Sequence, residues 1–126
     1  MKSDSIFLLV VAIGVFFVSL GYGLFPYTSM QSLYEIEVSN INAANIYRGI
    51  MGLYIALSIF WIVGAFKDSL RLAALWSLTV FMAGVGLGRV LSIIIDGMPD
   101  MIFINYLTVE IIGAFLGFKF IKSAKK

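Results

Sequence analysis

The chain has 126 residues, which is enough for one compact unit (1–126) and too few for two. Its residues are 61% hydrophobic and 13% charged, an apolar load that a soluble unit of this size could not hide from water. Cysteine and histidine are both absent, which excludes disulfides, thiolate and imidazole metal sites, and the usual nucleophile and general base near neutral pH.

Mean hydropathy is +1.02, and the apolar residues fall into runs of the length a bilayer-crossing helix requires, about 20 residues. The first run spans 6–25, from Ile6 to Phe25, and Pro26 ends it. Its length, and the lack of a small-residue cleavage site after it, read as a retained helix rather than a signal peptide. A more polar segment, 27–43, follows. It is too polar to span and too long for a tight turn, and Leu33, Tyr34, Ile36 and Val38 suit a short interfacial helix or a lid over the bundle. Further runs cover about 43–66, 70–95 and 101–121. The turns at Lys67-Asp68-Ser69 and at Asp96 to Asp100 are short, so the helices they join should be antiparallel neighbours. The expected architecture is therefore all-α: an integral membrane bundle of four helices.

The basic residues lie at the membrane edges, so the pI of 9.0 reads as topology rather than as nucleic-acid binding. Lys2, Lys67, Arg71, Lys119, Lys122, Lys125 and Lys126 all belong to the N-terminus, the 67–71 turn or the tail. The other two connections carry Glu35, Glu37, Asp96 and Asp100 and no Lys or Arg. Positive-inside asymmetry places both termini in the cytoplasm. Tyr22, Tyr27, Tyr34 and Tyr106 then fall near the outer boundary and Trp61 near the inner one, as aromatic belts do.

Arg48, Arg89 and Glu110 lie inside the spans, and Asp96 closes the third. A charge at the bilayer centre costs about 2.5–3.5 kcal/mol even on lenient scales, so such groups face the bundle interior and pair. Helical rise places Arg48 one turn deep from the outside, Arg89 two turns below Asp96, and Glu110 about 13 Å down, all in the outer half. The two positive and two negative charges cancel. Arg89, Ser92 and Asp96 share one stripe; Tyr106, Glu110, Gly113 and Gly117 share another; Asn45, Arg48, Gly52 and Ala56 share a third. Gly84-x-x-x-Gly88 and Gly113-x-x-x-Gly117 fit close helix approach. Asp96 opposes the macrodipole at a helix C-terminus, and Arg89 or Arg48 could compensate it. The cluster has three readings: a clasp that fixes helix register, a ligand pocket, or a proton or ion path through Glu110. Against the path, the inner halves offer no ionisable partner to continue it. The glycines of 21–23 and 84–88 follow no strand and form no phosphate loop, and Met30, Met51 and Met82 read as apolar filler rather than copper ligands.

Asn45-Ile46-Tyr47-Arg48-Gly49-Ile50-Met51-Gly52, Ala74-Leu75-Trp76, Gly88-Arg89-Val90-Leu91-Ser92 with Asp96-Gly97-Met98-Pro99, and Glu110 resemble the pattern of an uncharacterised bacterial family of small four-helix membrane proteins, similar in build to DoxX-like proteins. The resemblance covers nearly the whole chain. Its most specific parts are the Tyr-Arg pair and the Gly-Arg…Ser…Asp-Gly-x-Pro run; Gly49 stands where the pattern has alanine, a departure that bears on packing more than on chemistry. The resemblance implies the fold, singles out Arg48, Arg89, Asp96 and Glu110, and implies no activity. It places the chain in a bacterial inner membrane.

Small size and missing catalytic residue types point to a non-catalytic accessory subunit of a membrane complex. The alternative is a binding protein or transporter for a small amphiphile, a lipid or quinone, whose anionic or carbonyl head group meets the arginines of an outward-facing charged pocket. An enzyme using Glu110 or Asp96 as acid or base is the weakest reading, with no histidine and no cofactor motif to support it. The sequence assigns no catalytic residue, metal ligand or cofactor. The expected partners are the lipid bilayer, other membrane subunits or a second copy, and no nucleic acid.

Overall fold

The computed structural model describes residues 1–124. Its elements, in chain order, are the helices α1 (Ser3–Gly23), α2 (Pro26–Tyr34), α3 (Ile41–Phe66), α4 (Asp68–Asp96) and α5 (Met101–Ala124). Helices α1, α3, α4 and α5 are each long and apolar enough to cross a membrane, and together they make the chain an all-α integral membrane four-helix bundle. The tail lysines Lys125 and Lys126 lie outside the described residues.

Local chemistry sets the ends of the helices. Pro26 opens α2, where its missing N–H would have had no partner anyway. The same helix stops where Glu35 turns into the left-handed region at φ 56°. Asn40 caps α3, its side-chain oxygen accepting from the Ala43 N–H at 2.8 Å. Gly97, at φ 103°, ends α4 in a conformation that side-chain-bearing residues rarely adopt.

Two arginines close the C-termini of the helices that precede them. Arg48, on α3, donates to the Gly23 and Leu24 carbonyls at the end of α1, at 2.9 and 3.4 Å. Arg71, in the second turn of α4, donates to the Gly64 and Ala65 carbonyls at the end of α3, at 3.1 and 2.8 Å. Each places a positive charge on carbonyls that no further helical turn can satisfy. Arg71 also pairs with Asp68 at 3.0 Å and reaches Asp4 of α1 at 3.9 Å.

The spanning helices pack in chain order, α1 on α3, α3 on α4 and α4 on α5. Each of these seams holds a close approach. A methyl added at Gly23 would meet Tyr47 and Met51 of α3, one at Gly64 would overlap Ala74 of α4, and one at Gly117 would overlap Thr79. Lipid tails are as apolar as leucine, so backbone proximity of this kind supplies much of the packing attraction. The remaining seam, α1 against α5, is different. These helices barely meet, apart from Phe7 and Phe120, whose ring centres are 5.3 Å apart.

Two buried clusters divide the interior. One, around Leu8, Ala12, Trp61, Leu75, Leu78 and Ile121, lies toward the Lys67 turn. The other gathers Met30, Tyr34, Val38 and Ala44 beneath α2, toward Pro26.

Three expectations from periodicity and hydropathy are corrected. Trp61 is fully buried and donates to the Ser77 hydroxyl at 3.0 Å, so it is a core residue and not part of an interfacial belt. Gly84 and Gly88 meet no neighbouring atom, because that stripe of α4 is turned outward. Gly52 and Ala56 are likewise exposed, and the close approach on α3 falls to Gly64 instead. Gly113 and Gly117 do pack inward, against Met82 and Thr79.

Candidate functional site

Arg89 and Glu110 meet between the two clusters. Arg89 Nε donates to Glu110 Oε1 at 2.7 Å, the length of a charge-assisted bond. Both side chains are largely enclosed, at 22% and 11% exposure. The Arg89 guanidinium carbon also stands 5.5 Å from the Tyr106 ring centre and 5.9 Å from that of Phe103, within cation–π range. The Tyr22 hydroxyl faces the same guanidinium. Together these contacts hold a charge that lipid alone would not tolerate.

The helical faces explain the meeting. Arg89 lies one turn past Gly86, where α4 runs close to Leu107 and Glu110 of α5. Glu110, Gly113 and Gly117 form the buried stripe of α5, so the close approach lower down sets the rotation that aims Glu110 inward.

An aromatic layer covers the pair from the Pro26 side. Tyr34 of α2 stacks on Tyr22, with ring centres 5.6 Å apart, and tilts against Phe103 at 5.2 Å. Its hydroxyl shares a 2.9 Å hydrogen bond with the Tyr106 hydroxyl. Burial, and then that hydrogen bond, push the Tyr34 phenol well above its usual pKa, so it stays neutral. Ser29 ties α2 in place by donating to the Gly21 carbonyl at 2.6 Å.

Below the pair, the open α1–α5 seam encloses a cavity of about 340 Å³, inside the range of small-molecule sites, roughly 300–1,000 Å³. Val10, Val11, Gly14, Val15 and Val18 line its apolar length, and Tyr22, Arg89, Tyr106 and Glu110 its polar end. From Val10 to Tyr22 it follows α1 for about 18 Å by helical rise. A second, more open cavity of about 430 Å³ lies on the other side of Arg89, between Ser92, Pro99 and Phe103. Arg89 is a shared wall of both.

The other residues singled out from sequence take different places. Ser92 donates to Asp96 at 2.9 Å, an exposed pair at the end of α4. Asp96 thus finds a hydroxyl partner, while Arg89 and Arg48 are engaged elsewhere. Asn45 and Arg48 sit on the exposed face of α3 and line neither cavity. Of the seven candidates, Arg89, Glu110 and Tyr106 come together in one place, with Ser92 across the Arg89 wall. Sequence alone places Tyr22 and Tyr34 at the outer boundary and not at the site, and it does not single out Gly14. Val10, Gly14, Val18 and Tyr22 recur at four-residue spacing along α1, a stripe that was there to find. Among the described residues no three acidic or other ligating side chains converge on a metal position.

A family model described as a domain of unknown function, DUF4345, matches residues 4–120. No curated protein and no solved structure matches the chain.

Proposed function

The chain belongs to the DUF4345 family, whose function is unknown, so its role rests on its own site, and we propose that it binds a membrane-embedded amphiphile. The observation that carries this reading is the α1–α5 cavity, apolar along its length and polar at one end. An acyl or prenyl chain fits the valine-lined part, and a head group fits among Tyr22, Tyr106 and Arg89. The seam opens sideways, so the ligand enters from the surrounding lipid rather than from water. On this reading the Arg89–Glu110 pair is part of the pocket as well as a clasp between α4 and α5. The DoxX-like build is a likeness of architecture and lends the chain no activity. We further propose a bacterial inner membrane location with both termini cytoplasmic, which the basic residues at the Lys67 end support.

Mild-detergent purification of the full chain followed by native mass spectrometry tests the binding. The expected result is one bound amphiphile per chain, lost in Gly14→Leu, where the added side chain points into open space. A chain that emerges bare, or reproducibly attached to another polypeptide, counts against it.

A second reading, an accessory subunit of a membrane complex, is favoured by a different observation. The exposed face of α3 carries Asn45, Arg48, Gly49, Gly52 and Ala56, polar and small groups of the kind that helix–helix contacts in membranes use. The same spectra distinguish it, by the mass of a protein partner.

A further inference from the structure

We infer that the amphiphile carries an uncharged, hydrogen-bond-accepting head group, a carbonyl or ester, and that the pocket rejects anions. This deepens the binding reading above and rests on it. The geometry supplies three observations. First, the polar end of the cavity holds one positive and one negative side chain, bonded to each other at 2.7 Å, so its net charge is zero. Second, Arg48, the other arginine of the outer half, is engaged with the Gly23 and Leu24 carbonyls and lines neither cavity, so it cannot offset a bound anion there. Third, the groups that remain for a ligand are mostly donors. Arg89 commits Nε to Glu110 and another part of its guanidinium to the Tyr22 hydroxyl, which leaves its other terminal N–H groups and the Tyr22 O–H, still able to donate, at the same edge.

A carboxylate or phosphate entering this space would bring a like charge to within a few ångström of Glu110, in surroundings too apolar to screen it. A neutral carbonyl avoids that repulsion. It accepts from Arg89 or Tyr22 while Glu110 keeps its own bond. The Glu110 carboxylate is in this view a selectivity element, because it removes the excess positive charge that would otherwise attract anionic lipid.

Two sources share this chemistry, a diacylglycerol-type ester and an isoprenoid quinone carbonyl. Delipidated full-length protein in an uncharged detergent is titrated with dioleoylglycerol, a short-chain benzoquinone, oleate and dioleoylphosphatidic acid, with the thermal midpoint as the readout. At least one neutral probe is expected to raise the midpoint and to bind at least about tenfold more tightly than either anion. Whichever of the two neutral probes binds names the source. Gly14→Leu should remove the response. Glu110→Gln, which leaves the Arg89 charge uncompensated, should reverse the order so that oleate binds best. Anions that bind the unaltered protein as tightly as the neutral probes overturn the inference while leaving a binding site. If none of the four probes binds, the binding reading fails as well. Should Glu110→Gln fail to fold, the ranking of the four probes on the unaltered protein still decides.

Discussion

Arg89 reaches Glu110 through its inner nitrogen, Nε, while its guanidinium also meets the Tyr22 hydroxyl and the Tyr106 ring. The pair therefore joins α4 to α5 and leaves the terminal nitrogens of Arg89 to its other partners. Breaking a buried pair from one side leaves an uncompensated charge, so Arg89→Ala or Glu110→Ala should each lower stability by about 3 kcal/mol. The double replacement Arg89→Met with Glu110→Met should recover most of that. Thermal unfolding of the unaltered protein, the two alanine variants and the Arg89→Ala/Glu110→Ala double variant in one detergent gives the coupling, and additive losses would mean the two side chains do not act as a unit.

The glycines of α4 and α5 should behave in opposite ways. Gly117→Ala overlaps Thr79 and should cost about 1–3 kcal/mol as an overpacking defect. Gly84→Ala and Gly88→Ala meet nothing and should be neutral, or stabilising by up to about 1 kcal/mol through helix propensity. Equal losses at all three positions would show that the α4 stripe is covered by something outside this chain.

Arg48 holds the end of α1 by donating to two carbonyls. Arg48→Ala should lower the thermal midpoint by an amount equivalent to about 1–3 kcal/mol, with Arg48→Lys intermediate because both bonds come from the single nitrogen Nη1 and a lysine ammonium can restore part of them. Hydrogen exchange at Leu24 and the start of α2 should rise in the alanine variant. Unchanged exchange would remove the capping role.

Orientation is testable with unusual simplicity, since the chain has no thiol of its own. Ser39→Cys lies at the Pro26 end and Ser69→Cys at the Lys67 end, and both positions are exposed. A membrane-impermeant maleimide should label Ser39→Cys on intact cells and Ser69→Cys only after lysis. The reverse pattern would invert the topology.

The Tyr34 phenol gives an alkaline signature. In the unfolded chain it ionises near pH 10, and in the folded chain above that, because burial and the Tyr106 hydroxyl disfavour the phenolate. The folded state therefore binds a proton that the unfolded state has lost, and stability falls as pH rises past about 10. Tyr34→Phe should flatten part of that fall while costing stability at neutral pH. Identical alkaline melting curves for the two proteins would show that Tyr34 is not enclosed.

The four spans could be read from sequence because each is a run of apolar residues matched to bilayer thickness, a signal that needs no knowledge of neighbours. The rotation of each helix could not. In lipid the inward and outward faces are both apolar, so hydropathy does not say which stripe turns in. Periodicity put Asn45, Arg48, Gly52 and Ala56 on one face of α3 correctly as a stripe, yet that stripe is exposed. The α5 stripe of Glu110, Gly113 and Gly117 is buried, and what separates the two cases is the fit of Gly117 onto Thr79, a contact between helices. Trp61 differs from expectation for a similar reason: its depth along α3 suits an interfacial belt, and its hydrogen bond to Ser77 lies on the face that depth does not specify.

The open α1–α5 seam also has a meaning in time. Each spanning helix packs on the one before it in the chain, so order of synthesis and order of packing coincide. The gap left over lies between α1 and α5. No backbone hydrogen bond has to break for that gap to widen, since helices satisfy their own. On the binding reading proposed above, a molecule from the bilayer can therefore take its place before the bundle closes and be exchanged afterwards, with the Phe7–Phe120 contact parting to let it through.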